Sequence, residues 1–246
     1  MENPILIFAA IALIMLVASY IQSVTGFGFG IFAMIFLPSL LLYTESNVLS
    51  TILSAFTSVY LTFLMRKHIS WKNIAFPIAG YIVSSILSVI FIKTQTNETL
   101  KLLLGVALFA LSVYFFFFSN KIKIKPSWYA GLLAGLVSGV MGGMFAMSGP
   151  PVVIYFMQSE ESSDRYLGTL SAYFIVSGAI SIVTKAAAGF VTASVLIGVA
   201  VGAVGMAIGA VLGKLSRERI KPDNIKRAVY AVMAVSGIVN IVTSLI

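Results

Sequence analysis

The sequence predicts an all-α polytopic membrane protein of two inverted-topology repeats, each a broken or re-entrant helical hairpin plus three transmembrane helices. Three observations carry that expectation. Apolar blocks of at least seventeen residues recur from end to end. Two of those blocks are too long for one span, and both are interrupted in the middle. The basic residues segregate to one side only if both long blocks return the chain to the face it came from.

Composition sets the frame. The chain has 246 residues, 59% of them hydrophobic and 10% charged, with a mean hydropathy of +1.04; a soluble domain carries nearer 25% charge. No polar stretch is long enough for a separate soluble unit, so residues 1–246 are expected to form a single integral membrane domain. Its predicted parts are repeat 1 over 1–120, a cytoplasmic linker over 121–126, and repeat 2 over 127–246. The opening MENPILIF has an acid, no basic n-region and no small-residue cleavage site after it, so the first segment is expected to stay in the membrane. Cysteine is absent, which removes disulfides and thiolate chemistry. The excess of 16 Lys and Arg over 8 Asp and Glu sits in short loops between apolar blocks, which marks topology and not nucleic-acid binding.

The apolar blocks run over 4–43, 46–65, 73–92, 102–118, 127–157, 166–184, 193–213 and 228–246. Six have the length of one tilted span. The first, of forty residues, is interrupted by SVTGFGFG (Ser23 to Gly30), and the fifth, of thirty-one, by MGGMFAMSGPP (Met141 to Pro151). Each is expected to be a re-entrant hairpin or a pair of close spans. With both blocks returning, thirteen basic residues fall on one side and only Lys93, Lys101 and Lys185 on the other. Single crossings would leave seven against nine, which is no bias. The richer side is therefore assigned to the cytoplasm, both termini lie outside the inner membrane, and the lipid bilayer is the surrounding partner.

The same parity gives each half an odd number of crossings, so the halves run in opposite directions. At an offset of 116, Ser19, Ser23 and Gly26 meet Gly135, Gly139 and Gly142, and Glu45 meets Glu161. With slight slippage, Thr51, Ser54 and Ala55 meet Thr169, Ser171 and Ala172.

Broken helices survive in hydrocarbon only inside protein or beside a wet cavity, because unpaired backbone groups are costly there. Inverted-repeat transporters place such breaks at a midplane substrate site. Gly26, Gly28 and Gly30 permit positive φ and close backbone approach. Pro150 and Pro151 suit the first turn of a new helix, where a missing N–H costs nothing. The remaining amides of such a helix start favour an anion. The candidate substrate-lining set is Gln22, Ser23, Thr25, Gly26, Gly28, Gly30, Thr51, Ser54, Gly142, Gly143, Ser148, Gly149, Pro150, Thr169 and Ser171. For Ser19, Ser23, Gly135 and Gly139 the competing reading is close helix packing, and for each hydroxyl it is a bond to the preceding turn. Gly198, Gly202, Gly205, Gly209 and Gly213 give the seventh block a smooth face expected to contact another helix.

Absences discriminate too. Every Asp and Glu lies at an end or in a predicted loop, so a cation relay has no mid-span carboxylate to use. Glu45 and Glu161 are candidate gate or coupling residues, or solvated loop acids. Lys185 is expected to snorkel to the outer interface. His68 is the one histidine, in a basic loop; with no cysteine it supplies no metal cage. No GxxxxGK[ST] stretch is present. No cofactor, no metal and no enzyme activity are expected.

These residues match a known pattern. The chain resembles the sulfite exporter TauE/SafE family, also called the 4-toluene sulfonate uptake permease family, over nearly its whole length. The resemblance rests on SVTGFGFG, SGVMGGMFAMSGPPVVIYF, the glycine-spaced seventh block ending in GKLSRERI, and the closing AVMAVSGIVNIV. It implies a small anion transporter with two related halves, carrying sulfite, organosulfonates such as sulfoacetate, or thiosulfate, in a family that covers both import and export; export, by alternating access between the inverted repeats, is the expected mode here. The family's glycine-rich segments match Gly26, Gly28 and Gly30, and Gly142, Gly143, Gly149 and Pro150. MGGMFAMSGPP departs from a plain run of alternate glycines, so the halves need not contribute equally. A proton is a candidate coupling partner. An anion channel and a non-transport assembly subunit are the alternative functions.

Overall fold

A computed structural model describes residues 4–118, 125–216 and 222–245. The helices in order are α1 (Pro4–Thr25), α2 (Phe29–Phe36), α3 (Tyr43–Met65), α4 (Trp71–Lys93), α5 (Asn97–Phe118), α6 (Trp128–Phe145), α7 (Gly149–Ser159), α8 (Ser163–Ala187), α9 (Ala193–Ser216) and α10 (Pro222–Leu245). Short 3-10 turns at Leu37–Ser39 and Arg66–His68 follow α2 and α3. No strand occurs among the described residues. Most of the predicted linker 121–126, together with the basic residues Arg217, Arg219 and Lys221, lies outside the described residues.

Eight of these helices are long and apolar enough to cross a membrane. Their outward faces carry large exposed apolar side chains, among them Leu13, Phe63, Leu87, Phe117, Val183 and Leu215. That is the inverse of a soluble surface and fits lipid as the solvent. Helices α2 and α7 are different. At 1.5 Å per residue, eight and eleven residues reach only about 12 and 16 Å, against a hydrocarbon thickness of about 30 Å. Each is a half-helix following a full-length one.

Side-chain neighbours give the helix directions. Along α9, Gly205, Gly209 and Gly213 pass Ala12, Leu16 and Tyr20 in turn, so α1 and α9 are parallel. Gly198 and Gly202 meet Leu49 and Leu53, so α3 is parallel to α9 as well. Helices α1 and α3 therefore start on the same side, and the first long block returns the chain. In the second half, Gly135, Gly139 and Gly143 pass Pro77, Tyr81 and Ser85 of α4. Ser70 lies by Thr169, and the Tyr81 ring by Tyr173, so α8 also runs with α4. The second block returns too. Helices α3 and α8 cross antiparallel, with Thr51 by Lys185 and Ala55 by Gly178. Helices α5 and α10 do the same, with Gly105 by Asn240 and Phe115 stacked on Tyr230 at 4.6 Å.

The glycine face of α9 is a helix contact, as expected. A Cβ at Gly205 or Gly209 would collide with the carbonyl oxygens of Ala12 and Leu16. Gly135 and Gly139 likewise let α6 lie against the backbone of α4. Matching helix boundaries fall 120 positions apart: Thr25 and Phe145 end helices, and Phe29 and Gly149, then Tyr43 and Ser163, begin them. The offset of 116 drawn from the sequence pairs small residues without matching these boundaries. At 120, Glu45 falls on Arg165, not on Glu161.

Local chemistry sets the ends. Ser127 and Ser162 cap α6 and α8 by accepting from the amides of Ala130 and Arg165, each at 3.3 Å. Asn97 Oδ1 accepts from the first amide of α3, at Tyr43, at 2.9 Å. Glu160 was expected to be a loop acid, but its side chain is 1% exposed. It accepts from Ser70 Oγ at 2.8 Å and Asn73 Nδ2 at 2.9 Å, and Arg165 lies 3.5 Å away. This cluster joins the end of α7 to the start of α4. Glu161 is 86% exposed and only pairs with Arg165 at the surface, a contact worth little.

Two expected outcomes follow from this arrangement. Single cysteines at the exposed positions 67 and 161 (Lys67→Cys, Glu161→Cys) label from one membrane face with an impermeant thiol reagent, and Thr94→Cys and Thr192→Cys from the other. Glu160→Ala strands the Ser70 and Asn73 donors and lowers stability by roughly 1–3 kcal/mol, read as a fall in melting temperature in detergent.

Candidate functional site

The two helix breaks meet. Helix α1 ends at Thr25, and the chain turns through Gly26 at φ 86° and Gly28 at φ 100° before α2 begins. Both angles are in the left-handed region where a side chain is strained, which accounts for two of the three alternate glycines. The third, Gly30, has a different reason. A Cβ there would collide with the carbonyl oxygen of Ala146, in the second break. The second break uses an alanine where the first uses glycine: Ala146 follows α6 at φ 56°, with its N–H on Gly142 O at 3.2 Å. Gly149, at the start of α7, packs on the Phe27 side chain.

The half-helix starts differ in donors. First-turn amides have no intrahelical acceptor. In α2 all of Gly28, Phe29, Gly30 and Ile31 carry an N–H. In α7 the Pro150 and Pro151 positions carry none, leaving Ser148 and Gly149. The first-half break therefore presents more open amide donors than the second.

Two adjoining cavities sit at the junction, each of about 20 Å³, room for about one water. One is bordered by Thr51, Ser54, Tyr81, Gly142, Ser148 and Ser177. The other is bordered by Gln22, Gly28, Gly30, Ser54, Ser148, Gly149 and Pro150, with Phe174 common to both. Ser148 borders both, and its hydroxyl makes no hydrogen bond among the described residues. Its carbonyl is held by Ser138 Oγ at 2.6 Å, and Ser138 accepts from Tyr173 OH at 2.8 Å. Gln22 is held in place: Nε2 donates to Ser58 Oγ at 2.8 Å, and Oε1 accepts from Ser54 Oγ at 3.2 Å.

Nine of the fifteen sequence-selected residues thus border the cavities: Gln22, Gly28, Gly30, Thr51, Ser54, Gly142, Ser148, Gly149 and Pro150. The others serve the surroundings. Thr25 Oγ1 sits 2.8 Å from Ile21 O and 2.6 Å from Phe27 O, so its hydroxyl is spent on the break itself. Gly26 packs under Leu167, Ser23 lies against Gly213 of α9, and Gly143 lies against Ser88 of α4. Thr169 accepts from the Ser70 amide at 2.9 Å, by the Glu160 cluster. Ser171 is buried and borders neither cavity.

Sequence reasoning missed the residues that hold the end of α6. Tyr43 OH and Asn47 Nδ2 both donate to Met144 O at 2.6 Å. Lys185 is 1% exposed, so it does not snorkel outward. Its Nζ turns into the protein and donates to Thr51 Oγ1 at 2.7 Å and Gly142 O at 3.3 Å. A lysine two residues from a helix end reads as an interface anchor by position alone. Only its small-residue neighbourhood on α3 and α6 makes the inward direction possible. Tyr81 and Phe174 were also missed, because mid-span aromatics look like ordinary core.

A family model described as sulfite exporter TauE/SafE matches residues 11–239, which include both breaks. A protein of Cupriavidus necator named "Probable sulfite/organosulfonate exporter TauE" is 24% identical over 228 residues, 87% of this chain and 86% of that protein. No solved structure matches.

The close approach at the junction sets an expectation for Gly30→Ala. The added methyl must push α2 from Ala146, an overpacking cost of roughly 1–3 kcal/mol. Melting in detergent checks it, with Gly189→Ala, where a Cβ meets nothing within 4 Å, as the comparison that isolates positive-φ strain from collision.

Proposed function

The chain belongs to the sulfite exporter TauE/SafE family, a family of transporters and not enzymes, and on that premise we propose that it exports a small sulfur-containing anion across the inner membrane. The substrate class is sulfite, an organosulfonate such as sulfoacetate, or thiosulfate. The observation that carries this reading is the meeting of the two half-helix starts, Gly28–Gly30 and Ser148–Pro150, at one pair of cavities. Amides at such starts favour negative charge. The Ser148 hydroxyl and the second N–H of Gln22 Nε2 add donors that carry no charge of their own.

Transport proceeds by alternating access between two inverted repeats, 1–120 and 127–246, in one membrane domain. Reciprocal pairing supports this: α1 lies on α9 as α4 lies on α6, while α3 crosses α8 and α5 crosses α10 antiparallel. A two-fold axis in the membrane plane generates these relations. Both termini lie outside the cell membrane, with the basic loops in the cytoplasm. A cavity of about 20 Å³ holds a water and not an oxyanion, so anion binding requires the repeats to move apart. A proton gradient is the candidate driving partner.

The test is anion flux in proteoliposomes with sulfite, sulfoacetate, thiosulfate and sulfate, with and without a pH gradient. Saturable flux of a sulfur anion is expected, and linear flux without saturation marks a channel. Ser148→Ala removes a hydroxyl that borders both cavities and lowers flux roughly tenfold, about one hydrogen bond's worth, while the melting temperature stays close to wild type. Absence of flux and binding for every sulfur anion removes the reading.

A further inference from the structure

Lys185 is a basic side chain buried inside the membrane domain, with no carboxylate in ion-pair reach among the described residues. The described ion pairs all belong to Arg165. Around the lysine ammonium, α3 contributes the Thr51 hydroxyl and α6 the Gly142 carbonyl. Thr51 in turn donates its own hydrogen to Asn47 O at 2.8 Å, so it meets Lys185 purely as an acceptor. The third N–H of the ammonium has no acceptor among the described residues. Both partners border the cavity at the breaks, together with Ser54 and Ser148. The positive charge therefore stands one hydrogen bond behind the wall of that cavity.

Burying an unpaired ammonium costs far more than burying a methionine of similar length, and ionisable groups kept within membrane spans mark substrate or ion paths. The dipole at the end of α6 offsets part of the cost, about half an elementary charge at most. We propose that Lys185 supplies the fixed charge of the anion site and restricts it to singly charged sulfur anions, hydrogensulfite and simple alkanesulfonates. This rests on the transport reading above and narrows it. On opening of the cavity, the flexible four-carbon stem carries Nζ from Thr51 to the bound anion. Charge then decides between substrates. The cost of desolvating an ion grows with the square of its charge, while its attraction to one ammonium grows only in proportion. One lysine and a set of neutral donors compensate a monoanion and leave a dianion such as thiosulfate or sulfate under-compensated.

The experiment measures uptake of labelled methanesulfonate into proteoliposomes holding the full chain, with methanesulfonate, thiosulfate and sulfate as competitors. Wild type is expected to take up methanesulfonate saturably, with the two dianions competing at least tenfold more weakly. In Lys185→Met the KM for methanesulfonate rises on the order of 30-fold or more, with a melting temperature and elution profile that report folded protein. Lys185→Arg, which keeps the charge, recovers part of the affinity; a purely structural cap would move Vmax and stability and leave the charge preference intact. A folded Lys185→Met with wild-type KM overturns the proposal, as does a wild type that takes thiosulfate as well as methanesulfonate. The wild-type comparison decides alone if Lys185→Met does not fold. In either failure transport of a sulfur anion continues, so the broader reading stands; a wild type that moves no sulfur anion removes both.

Discussion

Backbone satisfaction in hydrocarbon is the constraint on which the structure depends. An unpaired amide or carbonyl costs several kcal/mol there, so a helix can be broken only where protein surrounds the break. This chain breaks two helices and places both breaks against each other. The carbonyls at the end of α6 are taken by Tyr43, Asn47 and Lys185. The end of α1 is closed by the Thr25 hydroxyl and the Gly26 amide, which donates to Gln22 O at 2.8 Å. What remains open is the set of amides at the half-helix starts, and they border the cavities.

Satisfying those groups dictates the rest of the packing. Tyr43 and Asn47 reach α6 only because α3 begins beside it, and α3 begins there only because α2 is short enough to bring the chain back. Close contact of α9 with α1, and of α6 with α4, follows from four-residue glycine spacing. Those two parallel pairs hold a full-length helix of one half against the other half. The central helices α3 and α8 cross between them and carry Thr51, Ser54, Phe174 and Ser177 to the cavities. At the opposite end of α8, the buried Glu160 cluster ties α7 to α4.

The halves are alike in path and unlike in chemistry. The first break has two left-handed glycines and four open amides; the second has a left-handed alanine, two prolines and two open amides. Asn47 lies 120 positions before Leu167, and Lys185 lies 120 after Met65. Polar grip on a helix end is thus concentrated at α6, while the matching surface under Gly26 is apolar, made by Leu167 and Leu170. The buried polar groups at the breaks therefore come unequally from the two halves, and Lys185 belongs to the second.

Hydropathy, block length and loop charge by themselves determined the six single spans, the position of both breaks and the return of both long blocks, because each is a local or additive property of the chain; that each returning block pairs a full-length helix with a half-helix was decided by the structure. Alternate glycines at 26 and 28 announced positive φ, and the proline pair announced a helix start, since backbone sterics act within a few residues. The direction of side chains was decided only by tertiary structure. Lys185 and Glu160 sit at helix ends where solvent or interface is the default, and each turns inward because partners from helices distant in sequence are waiting there. Of the hydroxyls chosen from the sequence, Ser148 and Ser54 face a cavity while Thr25 and Thr169 close loops, and no spacing rule separates them. A polar side chain's role depends on which acceptor or donor lies within about 3 Å, and for Lys185, Glu160 and Thr169 that neighbour comes from the other half of the chain.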